Sequence, residues 1–387
     1  MRFFHVFNRN DFFCNICAPR FYGAFLLLHQ HFISQNITIN KMRKKVLLLP
    51  ILALLLAGCA SRVPQEKDMK AYLMVYHKDE THGLYMAISP DGYSFTDINN
   101  GNPVMAGDTI ALQRGIRDPH IYRGPDGAFY LTMTDLHIYA QRDGYRETQF
   151  ERPFEEFGWG NNRALVLMKS RDLINWTRAN VRIDELSPEL TGIGSAWAPE
   201  TIYDDKAGKL MIYFSMRFGA DTTNMHYVYV NDDFNRIESL PVQFFSATRP
   251  NAIDGDITKF NGKYYMFYAS GGIKRVVSDR INGGYSVEPE VYDSEEAACE
   301  APNVWKRIGE DKWVLMYDIY GLKPAPTFGF RETSDFENFT DLGRFNSGVM
   351  KAMNFERPKH GAVVHLTKKE AERLCKYWGL DMTFDIL

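Results

Sequence analysis

Cysteine is scarce in this chain, with five residues among 387. Cys14 and Cys17 form a lone CxxC pair, and Cys59 follows an apolar run. Only Cys299 and Cys375 remain for the rest of the chain, which is too few for a disulfide framework or a cysteine-rich zinc site. Stability must therefore come from a hydrophobic core, and the chain is long enough to form one.

Other features are also missing, and each absence excludes a class of function. The net charge is only −3, so no basic surface marks nucleic acid as a partner. The sequence contains no GxSxG elbow, no P-loop, no HExxH motif and no dinucleotide fingerprint ahead of a helix. What is present is a 14% share of aromatic residues, which fits aromatic-rich strands and sugar-stacking surfaces.

A basic segment after Met42 leads into the apolar run Val46–Ala57, which is the arrangement of a secretory signal. The run is too short to span a bilayer core of about 30 Å. It is followed by Gly58 and Cys59, and this ending resembles the lipobox of bacterial lipoproteins. The resemblance implies an exported protein, lipidated on Cys59 and attached to a bacterial membrane through that anchor only.

This interpretation divides the chain into segments. We expect residues 1–41 to lie upstream of the true start, residues 42–58 to be the signal peptide, and residues 59–70 to be a linker. Residues 71–387 would then form the functional domain. Beyond residue 58 the chain carries 38 Lys and Arg against 47 Asp and Glu. Such an acidic balance suits a neutral or weakly charged partner.

A short unit recurs in the remaining chain, in which a Gly or Asp turn precedes an alternating run of aromatic and aliphatic residues. Units of this kind indicate β-hairpins. The copies are Gly124–Thr132, Ala207–Ser215, Asn261–Ala269 and, more loosely, Gly309–Tyr317.

A polar residue precedes each hairpin or strand, at intervals of 82, 54, 46 and 60 residues. These landmark residues are Asp118, Glu200, Asp254, Glu300 and His360. Short strands repeated at such intervals predict an all-β fold, a five-bladed β-propeller. An ordinary β-sandwich with coincidental hairpins is the alternative.

The two ends of the domain complete one blade in this prediction. The segment Ala71–Phe95 has strand pairs but no landmark, whereas Gly361–Leu366 is a single strand after His360. We therefore expect the last blade to be closed by N- and C-terminal strands, with the C-terminal strand innermost, because closure removes a free sheet edge. Lys368–Tyr377 is predicted to form a short terminal helix.

The innermost strands of a propeller converge on a central channel, so residues at their starts face one another at one mouth. Carboxylates from different blades would then share a pocket. Glycoside hydrolysis needs such a set, with one carboxyl to protonate the leaving oxygen, one to activate water and a third to tune the donor.

Four motifs, in their order along the chain, resemble those of glycoside hydrolase family 43. They are Ile116–Tyr122 with its Asp-Pro, Trp197–Glu200, Ala252–Ile257 and Glu300–Val304. The resemblance implies a five-bladed propeller enzyme that hydrolyses α-L-arabinofuranosides or β-D-xylosides with inversion. Its substrate would be an oligosaccharide or polysaccharide of plant origin. The sequence departs from the family at Ala301, where many members have Gly.

The resemblance also implies roles for the landmark carboxylates. Asp118 would be the general base, and Glu300 would be the general acid. Asp254 would be the residue that modulates the pKa of the donor, with Asp256 as the alternative for that role. The competing interpretation of Asp118 is a turn Asp before Pro, and that of Glu300 is an acidic loop that also contains Glu295 and Glu296.

Further residues are candidates for substrate binding: Trp197 as a stacking platform, Glu200 and Arg117 as hydrogen-bonding groups, and His360. The competing interpretations are a core Trp and structural ion pairs. The resemblance implies no required cofactor, but it places His360 where the family often has an axial histidine near a water or a structural calcium ion. The insertion Leu136–Asn162 could form a loop over one rim and set substrate choice.

Three other functions remain open. A glycan-binding lipoprotein without catalysis would keep the fold, although all three carboxylates are present. A phosphorylase would need a basic cluster beside the acid, and none is apparent in the sequence near Asp254 or Glu300. A fructan-type enzyme would carry a cysteine after the acidic residue, whereas Cys299 precedes Glu300.

Overall fold

The computed structural model describes residues 6–7, 63–247, 251–287, 290–323 and 325–384. The lipobox, including Cys59, lies outside these residues. Those from 64 onward form one compact unit. Among the described residues, no helix is both long and apolar enough to cross a bilayer.

The structure is built from short strands, which we number in chain order. The first four are β1 (Val6–Phe7), β2 (Met69–His77), β3 (Leu84–Ser89) and β4 (Ser94–Asp97). The next four are β5 (Ile116–Arg123), β6 (Phe129–Asp135), β7 (Ala164–Ser170) and β8 (Trp176–Arg182). They are followed by β9 (Ile193–Asp204), β10 (Lys209–Phe218), β11 (Asn224–Tyr229) and β12 (Val242–Phe245).

The second half of the chain continues the same pattern. Its strands are β13 (Ile253–Phe260), β14 (Lys263–Ala269), β15 (Ile273–Ser278), β16 (Ser286–Val287), β17 (Glu300–Lys306), β18 (Trp313–Asp318), β19 (Phe328–Thr333), β20 (Thr340–Arg344), β21 (Lys351–Ala352) and β22 (Lys359–Thr367). The helices are α1 (Gly107–Ile110), α2 (Phe154–Phe157) and α3 (Lys368–Trp378).

The strands form five sheets, so the predicted five-bladed β-propeller is confirmed. Blade I contains β5–β8, blade II β9–β12, blade III β13–β16 and blade IV β17–β20, each as an antiparallel meander. The strands β5, β9, β13, β17 and β22 are innermost, and each contacts the next around the ring. Their first residues therefore lie at one end of a common channel.

Blade V joins the two ends of the domain, as the sequence predicts. Its inner strand β22 pairs antiparallel with β2, which continues into β3 and β4. β21 pairs in parallel with the outer edge of β4. β2 begins at Met69, two residues before the start expected from the sequence. The predicted terminal helix is α3, which begins with a capping box of Thr367 and Glu370.

Each inner strand carries a β-bulge near its start, shown by a register shift against the neighbouring strand. One residue of each bulge has a left-handed backbone, with φ between 38° and 55°. These five bulge residues are Asp118, Ala198, Asp254, Ala301 and His360. Each is followed by Pro or Gly.

The bulges are fastened to one another around the ring. The amide of each bulge residue donates a hydrogen bond to a side chain of the preceding blade. The acceptors are His77 Nδ1 for Asp118 (3.2 Å), Thr134 Oγ1 for Ala198 (2.8 Å), Ser215 Oγ for Asp254 (2.9 Å), the Asp254 carboxylate for Ala301, and Asp318 Oδ2 for His360 (3.2 Å). These bonds hold the starts of the inner strands in one common frame.

Candidate active site

The bulges sort the channel side chains into three successive tiers. The outer tier, one residue before each bulge residue, consists of Arg117, Trp197, Ile253, Glu300 and Lys359. The middle tier is the five bulge residues. The inner tier, two residues after each, consists of His120, Glu200, Asp256, Asn303 and Ala362, and all five are buried. Three of the five landmark residues are therefore equivalent, whereas Glu200 and Glu300 occupy other tiers.

Asp118 is held as a carboxylate in the middle tier. Its Oδ2 accepts a hydrogen bond from Thr134 Oγ1 at 2.7 Å, and its Oδ1 lies 3.3 Å from His360 Nδ1. Burial acts to raise the pKa of Asp118, but the charge of His360, assisted by Arg117, outweighs it and holds the pKa well below its usual value. Asp118 is therefore ionised at any working pH.

Asp254 occupies the equivalent position in blade III but titrates in the opposite direction. Burial raises its pKa to about 7, against the opposing charge of His360 and with further raising by Glu300 and Asp118. Asp118, Asp254 and Glu300 also act together on His360, whose pKa they raise against the effect of burial. The three sequence-predicted carboxylates thus lie close enough around one imidazole to influence one another.

Glu300 is the most exposed of the three carboxylates, with 23% of its side chain accessible. Its Oε1 lies 3.3 Å from Lys359 Nζ, which also lies 3.5 Å from Asp318 Oδ2. Burial raises the pKa of Asp318 to about 7, with Lys359 opposing and Glu300 adding to the shift. The Lys359 ammonium group therefore lies close to two carboxyl groups, so it offsets the charge of Glu300 only in part.

Sequence reasoning missed Lys359 and Asp318. Lys359 could have been found, because it precedes His360 just as Glu300 precedes Ala301. Asp318 ends the second strand of blade IV, and nothing in its local sequence marks it.

The fold also brings together basic residues that are far apart in the sequence. Arg117 and Lys359 both lie in the outer tier near Glu300, although the sequence shows no basic cluster there. Arg117 forms an ion pair with Asp79, and Lys359 is shared by Glu300 and Asp318. Because both cations are paired with carboxylates, their presence gives no support to a phosphate site.

Trp197 forms one wall of the mouth and is half-buried. Its Nε1 donates to the Gly160 carbonyl at 2.9 Å, and Trp159 packs edge-on against it at 6.1 Å between ring centroids. Gly160 and Trp159 both belong to the insertion Leu136–Asn162. The Arg217 guanidinium lies 4.4 Å from the centre of the Trp197 ring on the blade II side. The insertion therefore borders the mouth and fixes the orientation of this indole.

Glu200 and Asp256 lie in the inner tier and bind each other. Tyr213 donates to Glu200 Oε2 at 2.6 Å, and Asp256 accepts from Asn303 Nδ2 and from the Val304 amide. A hydrogen bond also joins the two carboxyl groups. These partners keep Glu200 below the mouth, so its position does not support the sequence-based assignment to substrate binding. Asp256 has its own partners in the inner tier, Asn303 and the Val304 amide.

Burial governs the titration of this inner pair. It raises the pKa of Asp256 to about 7, and together with the charge of Asp256 it raises the pKa of Glu200 well above its usual value. At neutral pH or below, the pair therefore shares at least one proton, which supplies the hydrogen between the two carboxyl groups.

Within the part of the chain that the structure describes, one group of side chains could bracket a cation. His120, Glu200 and Asp256 each offer a ligand atom, and these atoms lie within 4.8 Å of one another. Calcium takes about six to eight oxygen ligands. One imidazole and two carboxyl groups that bind each other do not fit the structural calcium ion that the sequence resemblance implies.

Comparison with known proteins agrees with this geometry. Residues 67–372 match the model of a family described as "Probable glycosyl hydrolase domain", related to glycoside hydrolase family 43. An α-L-arabinofuranosidase of Bifidobacterium longum subsp. longum is 27% identical over 251 residues, which cover 58% of this chain and 21% of that protein. This chain thus matches about a fifth of the length of that curated relative.

Solved structures share the fold. A family 43 glycoside hydrolase mutant from Bacillus licheniformis superposes with a TM-score of 0.50 at 16% identity, covering 75% of this chain and 55% of that one. An α-L-arabinanase from Cellvibrio cellulosa, solved with arabinohexaose, gives a TM-score of 0.48 at 14% identity, covering 73% and 95%. At 16% identity the likeness to the Bacillus licheniformis structure concerns the fold alone.

The shared proton of the inner pair predicts a pH-dependent effect of Asp256→Asn. Between the unfolded value of 3.8 and about 7, folded Asp256 keeps a proton that the unfolded chain releases, so the wild type loses stability as pH rises through this window. The variant lacks this loss. Its stability relative to the wild type should therefore rise by at most about 4 kcal/mol between pH 4 and 7, measured by urea unfolding across that range. The opposite sign would mean that the carboxylate is the stabilised form, as in a cation site.

Proposed function

The chain belongs to the family of probable glycosyl hydrolase domains related to glycoside hydrolase family 43, and on that premise we propose that it hydrolyses glycosidic bonds in arabinose- or xylose-containing polysaccharides. The observation that carries the proposal is the convergence of Asp118, Asp254 and Glu300, from three different blades, around His360. This is the carboxyl set that water attack and leaving-group protonation require.

Asp118 acts as the general base. Its two hydrogen-bonding neighbours, Thr134 and His360, lie on different oxygens and hold the carboxylate in one orientation. Each oxygen keeps a lone pair that can accept a proton from water. The low pKa of Asp118 makes it a weak base that is always ionised, so its catalytic value lies in position more than in basicity.

Glu300 acts as the general acid. It is the carboxyl group of the outer tier and is partly exposed, so it can reach the oxygen of a leaving group that extends from the mouth. Asp254, which is buried and close enough to Glu300 to be affected by its charge, keeps its own proton up to about pH 7. The division of labour is therefore electrostatic: Asp118 is an always-ionised base, whereas the carboxyl group of Asp254 beside the donor is uncharged below about pH 7.

For the sugar, we propose a terminal α-L-arabinofuranose or β-D-xylose, released with inversion of configuration. The activity named for the Bifidobacterium relative favours arabinofuranose. A half-buried indole at the mouth, Trp197, suits the apolar face of a sugar ring. The proposed steps use carboxyl groups of this chain, and none is routed through a cation.

For its place in the cell, we propose that the protein is exported and anchored through a lipid on Cys59. The basic segment 43–45, the apolar run and the small residues before Cys59 support this.

Asp118→Asn and Glu300→Gln should each lower kcat/KM on oligosaccharides by about 10²–10⁴-fold. The two variants should differ on nitrophenyl glycosides, because an activated leaving group needs no proton. The Glu300→Gln variant should lose much less activity on nitrophenyl glycosides than on oligosaccharides, whereas the Asp118→Asn variant should lose activity on both kinds of substrate. Thermal unfolding of each variant serves as the control for the fold, and NMR of the first-formed anomer tests inversion. Full activity of a folded Asp118→Asn variant would contradict the proposal.

Asp254→Asn should change the pH profile. In the wild type, activity on oligosaccharides should change at about pH 7, where the buried Asp254 near Glu300 becomes charged. In the variant, this change should no longer occur at about pH 7, because the side chain at position 254 does not ionise. If kcat/KM changes with alkaline pH in the same way in the variant and the wild type, Asp254 is not the modulating residue.

Cys59→Ser should release the protein from the membrane fraction of bacterial cells that express the full chain. The wild type should sediment with membranes and incorporate labelled fatty acid, because the thiol is the attachment point. If the Cys59→Ser variant still sediments with membranes, the proposal of a lipid anchor on Cys59 is wrong.

A further inference from the structure

A groove runs outward from the catalytic mouth between blades III and IV. It encloses about 410 Å³ and is lined by Ile253 and Glu300 of the outer tier, by the β14–β15 turn, and by the segment 291–299 that leads into β17. Tyr320, just after β18, forms part of its wall and is 44% exposed. The volume falls within the range of about 300–1,000 Å³ that is usual for small-molecule sites.

The position of the groove relative to the two catalytic groups decides what it can hold. Glu300 belongs to the groove wall, whereas Asp118 lies on blade I, which is not adjacent to blade III or blade IV in the ring. In an inverting hydrolysis, water attacks from the side of the base and the leaving group departs toward the acid. The part of the substrate beyond the cleaved bond must therefore extend from Glu300 into this groove.

The charged side chains that line the groove are acidic, while Lys359 Nζ lies 3.3 Å from Glu300 Oε1 and 5.6 Å from the centre of the Tyr320 ring. Asp293, Glu295 and Glu296 join Glu300 in its lining, while Asp293 accepts the Ile273 amide at 2.7 Å and Glu295 is paired with Arg344. Glu296 is exposed. Carboxylates accept hydrogen bonds from sugar hydroxyls, but they repel another carboxylate. The exposed ring of Tyr320 offers a surface for the C–H face of a sugar.

We propose that this groove is the leaving-group subsite and that it selects neutral sugars over uronic acids. The inference rests on the proposed hydrolase function, and it assigns Tyr320 as the stacking surface and Glu296 as a determinant of charge selectivity. Neither residue is assigned a part in the chemical step.

Tyr320→Ala should raise KM for a neutral arabinoxylo-oligosaccharide by about 3–10-fold with little change in kcat, since a stacking contact is lost. Tyr320→Phe keeps the ring and should behave like the wild type. The 4-nitrophenyl glycoside, which has no sugar beyond the cleaved bond, should be affected less than the oligosaccharide by Tyr320→Ala. Equal KM values for wild type and Tyr320→Ala on the oligosaccharide would overturn the assignment.

Glu296→Gln tests the charge selectivity. The wild type should prefer the neutral oligosaccharide over one that carries glucuronic acid next to the cleaved linkage, and the variant should narrow this ratio of kcat/KM by about 3–10-fold. Glu185→Gln, which changes a glutamate 69% exposed on blade I, is the matched control and should leave the ratio unchanged. An unchanged ratio in Glu296→Gln would overturn the selectivity.

Binding separates failure of the groove from failure of the proposed function. Xylotriose, a neutral oligosaccharide, can be titrated calorimetrically into Asp118→Asn proteins that carry Tyr320, Tyr320→Ala or Tyr320→Phe, because loss of the proposed base prevents its hydrolysis during the titration. Weaker binding to Tyr320→Ala alone supports the subsite even if the wild type hydrolyses none of the substrates, a result that would overturn only the hydrolase proposal. Identical binding to all three proteins would overturn the subsite even in an active enzyme.

Discussion

The hydrogen bond from each bulge amide to the preceding blade is the interaction on which the site depends. A left-handed backbone at a non-glycine residue costs about 1–2 kcal/mol, and it persists only where the surroundings over-determine it. Here the amide of each of the five bulge residues donates a hydrogen bond to a neighbouring blade. The strained residues are therefore also the points at which adjacent blades are linked. These bonds tie the strained residues to the neighbouring blades, which suits chemistry that needs carboxyls at fixed separation.

The same backbone position produces opposite chemistry in two blades. Asp118 and Asp254 are both bulge residues, both near His360, yet the pKa of one is held low and that of the other is raised to about 7. The difference lies in their partners. Asp118 is bonded to Thr134 and close to His360 Nδ1, whereas Asp254 faces the negative charges of Glu300 and Asp118 from a buried position. In a low-dielectric channel the charges of neighbouring groups can therefore give two residues of the same type very different pKa values.

Much of the fold was predictable because it is written in local patterns. Turn residues before alternating strands mark the hairpins, and the missing strand at each end of the domain marks the shared blade, which β2 and β22 form. The assignment of residues to the three tiers was harder to predict from the sequence. Glu200 was grouped with Asp118 by sequence interval, but Asp118 is the bulge residue of its strand, whereas Glu200 lies two residues after the bulge residue Ala198. Register of this kind depends on the neighbouring strand.

The sequence by itself predicted the number of blades, the closure by both ends and the three carboxyl groups that we propose for catalysis, since each is marked by residue types in local patterns. Only the tertiary structure decided how those groups titrate and what surrounds them. Lys359, Asp318 and Tyr320 reach Glu300 from segments that are up to about 60 residues away. Asp318 lies opposite Glu300 on the paired strand of blade IV, whereas Lys359 belongs to blade V and comes close to Glu300 only once the ring has closed.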